Sequence, residues 1–357
     1  MDRMGKRKRP AGWAGIVSRN VRAVSQLALR IGRAAAKRAP SRATKPSIVK
    51  PRPAKRATPK AAGRWLAGVA ASSASVRRYH LFVPAGLRAA DHPPLLVMLH
   101  GCGQDSLGFA KSTRMNAIAQ REGFLVLYPE QDRLANAQGC WNWFETRTGR
   151  AQSEAAVVVA AVDQVISRHR ADGSRVAICG LSAGASLAAL VAARHPERFA
   201  AAAMHSGVRP GAARSSATAL AAMRGRSRSD AWSPPERPLP PLLVIQGTAD
   251  PFVVRANARA AAQAWAHAGD PHATAPVREG AERRVQRGKR KPMRIVDFKR
   301  GAALLATLVE IDGLGHAWSG GAAAQPYSDP TGPDASRLIW TFAARQFQVR
   351  PRLAVSR

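Results

Sequence analysis

The chain has 357 residues, 46% of them hydrophobic, which is enough for one domain of roughly 250 to 280 residues and an additional segment. Its formal net charge of +34 at pH 7 means that it will adhere to polyanions such as nucleic acid, anionic lipid head groups or acidic polysaccharide, unless the charge reflects only a general enrichment in Arg and Ala. Three cysteines exclude a disulfide-rich scaffold, although one pair is possible.

Residues 1–70 form a basic segment whose single acidic residue is Asp2. The segment contains the repetitive run AKRAPSRATKPSIVKPRPAKRATPKAAGR and has no dense apolar face. This composition predicts a largely disordered arm, through which we expect contact with polyanions, ahead of a folded domain over residues 71–350. We find neither a transmembrane run nor a recognisable secretory signal peptide.

The folded domain alternates between strand-like and helix-like patterns. VRRYHLFVP (76–84) alternates like an edge strand, whereas 93–101 and 123–130 are continuous apolar runs, typical of strands buried on both faces. The next predicted elements are helices 109–123 and 153–169, strand 175–179, helix 185–194, strands 199–207 and 241–250, helix 256–269, strand 303–318 and helix 334–347. The order predicts an α/β fold with a doubly wound, mostly parallel sheet and helices on both faces. The Arg-, Ser- and Pro-rich segment 209–240 is expected to form a loose flap.

The sequence GLSAG (180–184) lies between an apolar strand pattern and an Ala- and Leu-rich helix pattern. Ser182 stands at the apex, and Gly180 and Gly184 allow strand and helix to approach closely. The helix N-terminus directs amide N–H groups toward the turn. This pattern predicts a nucleophile elbow with Ser182 as the nucleophile.

A nucleophilic serine needs a base and an acid, which should follow later strands of the same sheet. Asp250 ends the run LLVIQGTAD, and His316 ends the run VEIDGLGH. The order Ser, Asp, His predicts a triad in which neutral His316 takes the serine proton and Asp250 holds its tautomer. Asp312 is the competing acid. His205 is an alternative base, although it could instead be a hydrogen-bonded structural histidine.

Two backbone amides are expected to bind the oxyanion of such a reaction. One is that of Ala183, directly after the nucleophile, and the other is that of Cys102 in the loop LHGCGQ. His100 begins this loop, and since no second histidine lies at ligand spacing, we expect it to orient the loop rather than bind a metal.

Several long motifs resemble the esterases of the poly(3-hydroxybutyrate) depolymerase family, relatives of feruloyl and acetylxylan esterases within the α/β-hydrolase fold. These motifs are LHGCGQDSLGFAKSTRMNAIAQREGFLVLYPEQ, GCWNWF, GLSAGASLAALVAARHPERFAAAAMHSG and GLGHAWSGG. The resemblance covers about residues 75–347. It implies hydrolysis of carboxylic esters by Ser182, Asp250 and His316, with His100 in the oxyanion region. Related enzymes often have His-Gly-x-x-Asp at the acid, where this chain has Gln246.

The resemblance leaves the substrate open. Members that attack solid polyester often carry a separate binding module, and the chain ends soon after its last predicted helix. We therefore expect soluble oligomers, amorphous polymer or small esters. Feruloyl or acetylxylan esters, an acyltransferase reaction, and a polyanion- or granule-binding function through the arm are the alternatives. The family suggests an extracellular enzyme, and the missing signal leaves a cytoplasmic or granule-associated location as the alternative.

Aromatic and sulfur side chains near the predicted site complete the candidates. Trp141 and Trp143 in CWNWF, and Trp318 just after His316, are expected to wall a substrate pocket, with core packing as the alternative. Cys102 and Cys140 lie in loops that should both reach the rim of the site, so that a disulfide is one possibility and free thiols the other. No phosphate loop, zinc-ligand cluster or dinucleotide fingerprint is present, and we expect neither cofactor nor metal.

Overall fold

A sheet of eleven strands runs through the computed structural model, which describes residues 63–227, 232, 236–270 and 272–349. The strands are β1 (Arg64–Ser72), β2 (Ser75–Val83), β3 (Leu95–Leu99), β4 (Leu125–Pro129), β5 (Val176–Leu181), β6 (Ala201–His205), β7 (Leu242–Gly247), β8 (Arg278–Glu279), β9 (Arg283–Val285), β10 (Met293–Arg300) and β11 (Ala303–Ile311). A separate two-stranded sheet contains β12 (Trp318–Ser319) and β13 (Ser328–Asp329).

Helices cover both faces of the large sheet. They are α1 (Ser106–Thr113), α2 (Met115–Glu122), α3 (Arg150–His169), α4 (Ala183–Arg194), α5 (Ser216–Met223), α6 (Ala256–Ala268) and α7 (Ala335–Val349). One core packs α3, α4 and α6 against the sheet, and a second core packs α1, α2 and α7 against the opposite face. Burial on both faces explains why β3, β4 and β5 are continuous apolar runs in the sequence.

The sheet order is β1-β2-β4-β3-β5-β6-β7-β11-β10-β8, with β9 also paired to β10. Strands β4, β3, β5, β6, β7 and β11 are mutually parallel, whereas the strands at both ends pair antiparallel. The predicted doubly wound, mostly parallel α/β sheet is confirmed. Because β5, β7 and β11 run in the same direction, the segments after them meet at one edge of the sheet.

The first strands differ from their sequence-based assignment. Strand β1 pairs with β2 along its whole length, from Arg64 with Val83 to Ser72 with Ser75, so β2 lies inside the sheet and β1 is the edge strand. The folded part therefore begins before residue 71, inside the range assigned to the arm. Only Ala70 of this strand is fully buried, which explains the weak sequence signal. The rest of the predicted arm, residues 1–62, lies outside the described residues.

Three other elements depart from the predicted pattern. The helix predicted over 109–123 is two helices, because Arg114 adopts φ 56° and ends α1. Its backbone amide donates to the carbonyl oxygen of Ala110. The expected flap contains the capped helix α5, while residues 228–231 and 233–235 lie outside the described residues. The basic hairpin β9–β10 was missed because charged residues stand between the buried Met293, Val296 and Phe298 and interrupt the apolar pattern.

Candidate active site

Ser182 stands at the turn between β5 and α4 with φ 56° and ψ −119°. A non-glycine residue rarely adopts this conformation, which stores strain at the turn. A Cβ atom on Gly180 would lie 2.4 Å from the carbonyl carbon of Gly184, and one on Gly184 would lie 2.3 Å from the carbonyl oxygen of Leu99. The two glycines are therefore required by backbone contact, and the turn has the geometry of a nucleophile elbow.

Asp250 and His316 contact each other after β7 and β11. The Nδ1 atom of His316 lies 2.8 Å from Oδ2 of Asp250. Because a carboxylate only accepts, Nδ1 carries the proton in the neutral ring, and Nε2 is left with a lone pair. The ring of Phe252 lies edge-on to that of His316 at 5.4 Å.

The carboxylate of Asp250 is held by donors on both oxygens. Its Oδ1 accepts from the amides of Phe252 and Val253, each at 2.9 Å, and Oδ2 also accepts from Nε2 of Gln246 at 3.1 Å. Burial by itself would raise the pKa of Asp250, but the hydrogen bond and charge of His316 and the two amides outweigh it and hold the pKa below its ordinary value. The Gln246 side chain thus contacts the acid directly, although it departs from the family pattern.

The competing candidates have other partners. Asp312 accepts from Nη2 of Arg294 at 3.0 Å, at the end of β11. His205 is fully buried, and its Nε2 accepts from the amide of Ser319 at 3.2 Å. Burial, followed by the charge of His316, lowers the pKa of His205 to about 3. These contacts favour Asp250 as the acid and give His205 a structural position.

The loop after β3 faces the elbow. Within the part of the chain that the structure describes, the amides of Cys102 and Ala183 donate to no protein group, as donors reserved for an oxyanion require. Cys102 and Cys140 are joined by a disulfide with a Cα–Cα distance of 4.3 Å. The bond ties this loop to the segment after β4.

His100 secures the same loop. Its ring is fully buried. The Nδ1 atom lies 2.9 Å from the carbonyl oxygen of Gly101, and Nε2 accepts from the amide of Gln131 at 3.1 Å. Burial lowers the pKa of His100, so the ring is neutral. Both nitrogens are used within the protein, which fits the expected orienting role.

The three tryptophans differ in environment. Trp318 is fully buried, stacks on His205 at a ring distance of 5.2 Å, and donates from Nε1 to Ser336 at 3.0 Å. These contacts favour the packing alternative for Trp318 over the pocket-wall prediction. Trp141 is also fully buried, but its Nε1 has no partner among the described residues. Trp143 packs edge-on against Phe144 at 5.5 Å.

A buried polar network behind the disulfide was not found from the sequence. Glu154 of α3 accepts from the amide and side chain of Asn142 at 2.8 and 2.7 Å and from Nε2 of Gln131 at 2.6 Å. Arg77 of β2 bonds Gln131 at 2.7 Å and pairs with Glu154 at 3.3 Å. The available signal was an acid on the apolar face of α3, since Glu154 shares that face with Val158.

The described residues contain no group of three or more His, Cys, Asp or Glu side chains arranged to hold a metal ion. Nor does any helix in this part of the chain have the length and apolar character needed to cross a membrane.

The parallel sheet, the elbow at Ser182 and the Asp–His pair beyond later strands define the α/β-hydrolase fold. A solved acetyl xylan esterase of Aspergillus awamori superposes with a TM-score of 0.53 at 22% identity, over 67% of this chain and 89% of that one. A prolyl endopeptidase also superposes, with a TM-score of 0.53 at 16% identity, over 83% of this chain and 40% of the other. These likenesses establish the fold.

The family follows from the sequence match. Residues 77–286 match the family model of the esterase PHB depolymerases, and the chain belongs to this family. Poly(3-hydroxyalkanoate) depolymerase C of Paucimonas lemoignei is 39% identical over 34% of this chain and 29% of the relative. Feruloyl esterase B of Neurospora crassa is 35% identical over 37% of this chain and 44% of the relative. The acetylxylan esterase A of Aspergillus awamori is 31% identical over 37% of this chain and 42% of the relative. The matched regions span less than half of each of these relatives.

Proposed function

We propose that the protein is a serine esterase that hydrolyses carboxylic esters through an acyl-enzyme, with Ser182, His316 and Asp250 as its triad. The observation that carries the proposal is the 2.8 Å contact between His316 and Asp250, at the sheet edge where Ser182 stands in a strained turn. This contact leaves Nε2 of His316 free to act as a base.

The reaction follows from proton chemistry. Nε2 of His316 takes the hydroxyl proton while Ser182 attacks the ester carbonyl, and the amides of Ala183 and Cys102 bind the oxyanion. The imidazolium, stabilised by the carboxylate of Asp250, returns the proton to the leaving alcohol. Water then repeats the sequence on the acyl-enzyme and releases the acid.

The proposed substrates are poly- or oligo(3-hydroxybutyrate) or related short-chain esters. Support comes from the family and from the relative that is a poly(3-hydroxyalkanoate) depolymerase. Feruloyl or acetylxylan esters are the second candidate, favoured by the similarity to feruloyl esterase B and acetylxylan esterase A.

The test is a panel of esters offered to the purified protein and to Ser182→Ala. The panel contains p-nitrophenyl esters, 3-hydroxybutyrate oligomers, amorphous polyhydroxybutyrate, methyl ferulate and acetylated xylan. We expect release of 3-hydroxybutyrate that falls on the order of a million-fold in Ser182→Ala, with an unchanged unfolding temperature. Turnover retained by the variant would remove the triad, and turnover limited to ferulate or acetylated xylan would select the second candidate.

Polyanion contact through residues 1–70 is a separate proposal, supported by the composition of that segment. Binding to DNA or anionic vesicles should weaken steeply with salt, because it releases counterions. A variant lacking residues 1–62 should bind less at every salt concentration. Equal binding by this variant would assign the contact to the esterase domain.

A further inference from the structure

His205 is the last residue of β6 and lies between the two halves of the proposed catalytic machinery. Its backbone oxygen accepts from the amide of Ser182 at 2.9 Å. Its side-chain Nε2 accepts from the amide of Ser319 at 3.2 Å. One residue therefore contacts the backbone of the nucleophile and the backbone of the loop that carries His316.

The contacts define the protonation of the ring. Because Ser319 donates its amide hydrogen, Nε2 of His205 must hold a lone pair and the ring hydrogen must be on Nδ1. That nitrogen lies 3.2 Å from the hydroxyl oxygen of Ser206. Full burial, together with the charge of His316, lowers the pKa of His205 to about 3, so the ring is neutral at pH 7 and Nε2 remains an acceptor.

The ring is also fixed by packing. It stacks on Trp318 at 5.2 Å with an interplanar angle of 25°. Trp318 is in turn held by its hydrogen bond to Ser336 on α7 and by the ring of Phe109 at 5.4 Å. The segment His316 to Ser319 is thereby attached to β6 through a rigid aromatic contact and a hydrogen bond.

We infer that His205 is a positioning residue that sets the location of the His316 loop relative to Ser182. The inference rests on the proposed function for its catalytic consequence. Removing the acceptor leaves a buried amide unpaired at Ser319 and releases the loop at one point. Displacement of the base by about 1 Å can cost on the order of 100-fold in rate, and this loss falls on kcat because substrate binding does not use His205.

Two variants separate the hydrogen bond from the packing. His205→Phe keeps an aromatic ring on Trp318 and removes the acceptor, whereas His205→Gln can place its amide oxygen near the position of Nε2. Trp265→Phe is the matched control, because Trp265 is equally buried on α6 and loses a single hydrogen bond, the one to Pro240 at 2.8 Å.

The rate is measured as kcat per active site, with sites counted by a fluorophosphonate that labels Ser182. We expect His205→Phe to lower kcat on the order of 10- to 100-fold with KM nearly unchanged, and His205→Gln to recover most of the loss. Trp265→Phe should lower the unfolding temperature without changing kcat. A kcat in His205→Phe equal to that of the unmodified protein overturns the inference.

A second measurement keeps the inference independent of ester turnover. Hydrogen exchange of the Ser319 amide should accelerate in His205→Phe and not in Trp265→Phe. If the unmodified protein hydrolyses no ester, the proposed function fails, but accelerated exchange still supports positioning of the loop by His205. Unchanged exchange overturns the positioning role whatever the esterase assay shows.

Discussion

The two oxygens of Asp250 have different donors: Oδ1 accepts from two backbone amides, and Oδ2 accepts from the side chains of Gln246 and His316. An Asp250→Asn variant loses the charge that stabilises an imidazolium at His316 and favours the wrong tautomer of the ring. We expect a decrease in kcat of about 10⁴-fold, measured with a short p-nitrophenyl ester between pH 6 and 8. Asp312→Asn is the control, because Asp312 pairs with Arg294; a comparable loss in that variant would make Asp312 the acid.

Gly184 provides a test of the elbow that does not touch the reacting groups. Its missing side chain allows the backbone oxygens of Leu99 and His100 to approach within 2.3 and 2.4 Å of the ideal Cβ position. Gly184→Ala should therefore lower the free energy of unfolding by about 1–3 kcal/mol or more, since backbone atoms must shift. Urea denaturation measures the change, and a Gly184→Ala variant as stable as the unmodified protein would contradict it. In the control Gly173→Ala the nearest atom lies at 3.7 Å, so no steric penalty is expected.

At the scale of elements, the disulfide between Cys102 and Cys140 connects the loop after β3 to the segment after β4. Titration of the unfolded, unreduced protein should count one thiol, that of Cys179, and three after reduction. Reduction should lower the free energy of unfolding by about 2–4 kcal/mol, because the closed loop restricts the unfolded chain. Three thiols before reduction would show that the bond does not form in the isolated protein.

The parallel core could be predicted from sequence because its strands are buried on both faces. β3, β4 and β5 stand out as apolar runs for this reason, and the residues that follow β5, β7 and β11 then mark the site. β1 and β10 gave no comparable signal. Only Ala70 of β1 is fully buried, and in β10 the half-buried Arg294 and the exposed Lys299 interrupt the apolar residues. The contacts of Glu154 and His205 depend on elements far apart in sequence, so only the fold could reveal them.

At the scale of the whole molecule, acid should destabilise the folded state. Burial alone would raise the pKa of Glu310, but the hydrogen bond and charge of Arg255, at 2.7 Å, outweigh it and lower the pKa. A carboxyl with a lowered pKa contributes stability above its unfolded value of about 4.3, and this contribution is lost as the pH falls through the folded value. The stability of this chain should therefore decrease below about pH 4.3.

Thermal unfolding at pH 7 and at pH 3 tests this expectation in the unmodified protein and in Glu310→Gln. The variant should be less stable at pH 7 and lose less stability on acidification. Glu122→Gln, which removes an exposed pair with Arg121, should behave as the unmodified protein. The same acid sensitivity in Glu310→Gln and the unmodified protein would assign acid unfolding to other carboxyls.

The position of β1 has a mechanical consequence. Residues 1–62 precede the described fold, whose edge strand β1 begins at Arg64; this residue pairs with Val83, and each following residue pairs with β2 in turn. A force that pulls Arg64 away from Val83, across the strands, would break these pairs one after another toward Ser72 and Ser75. Under such a force β1 would separate first, because Ala70 is its only fully buried side chain.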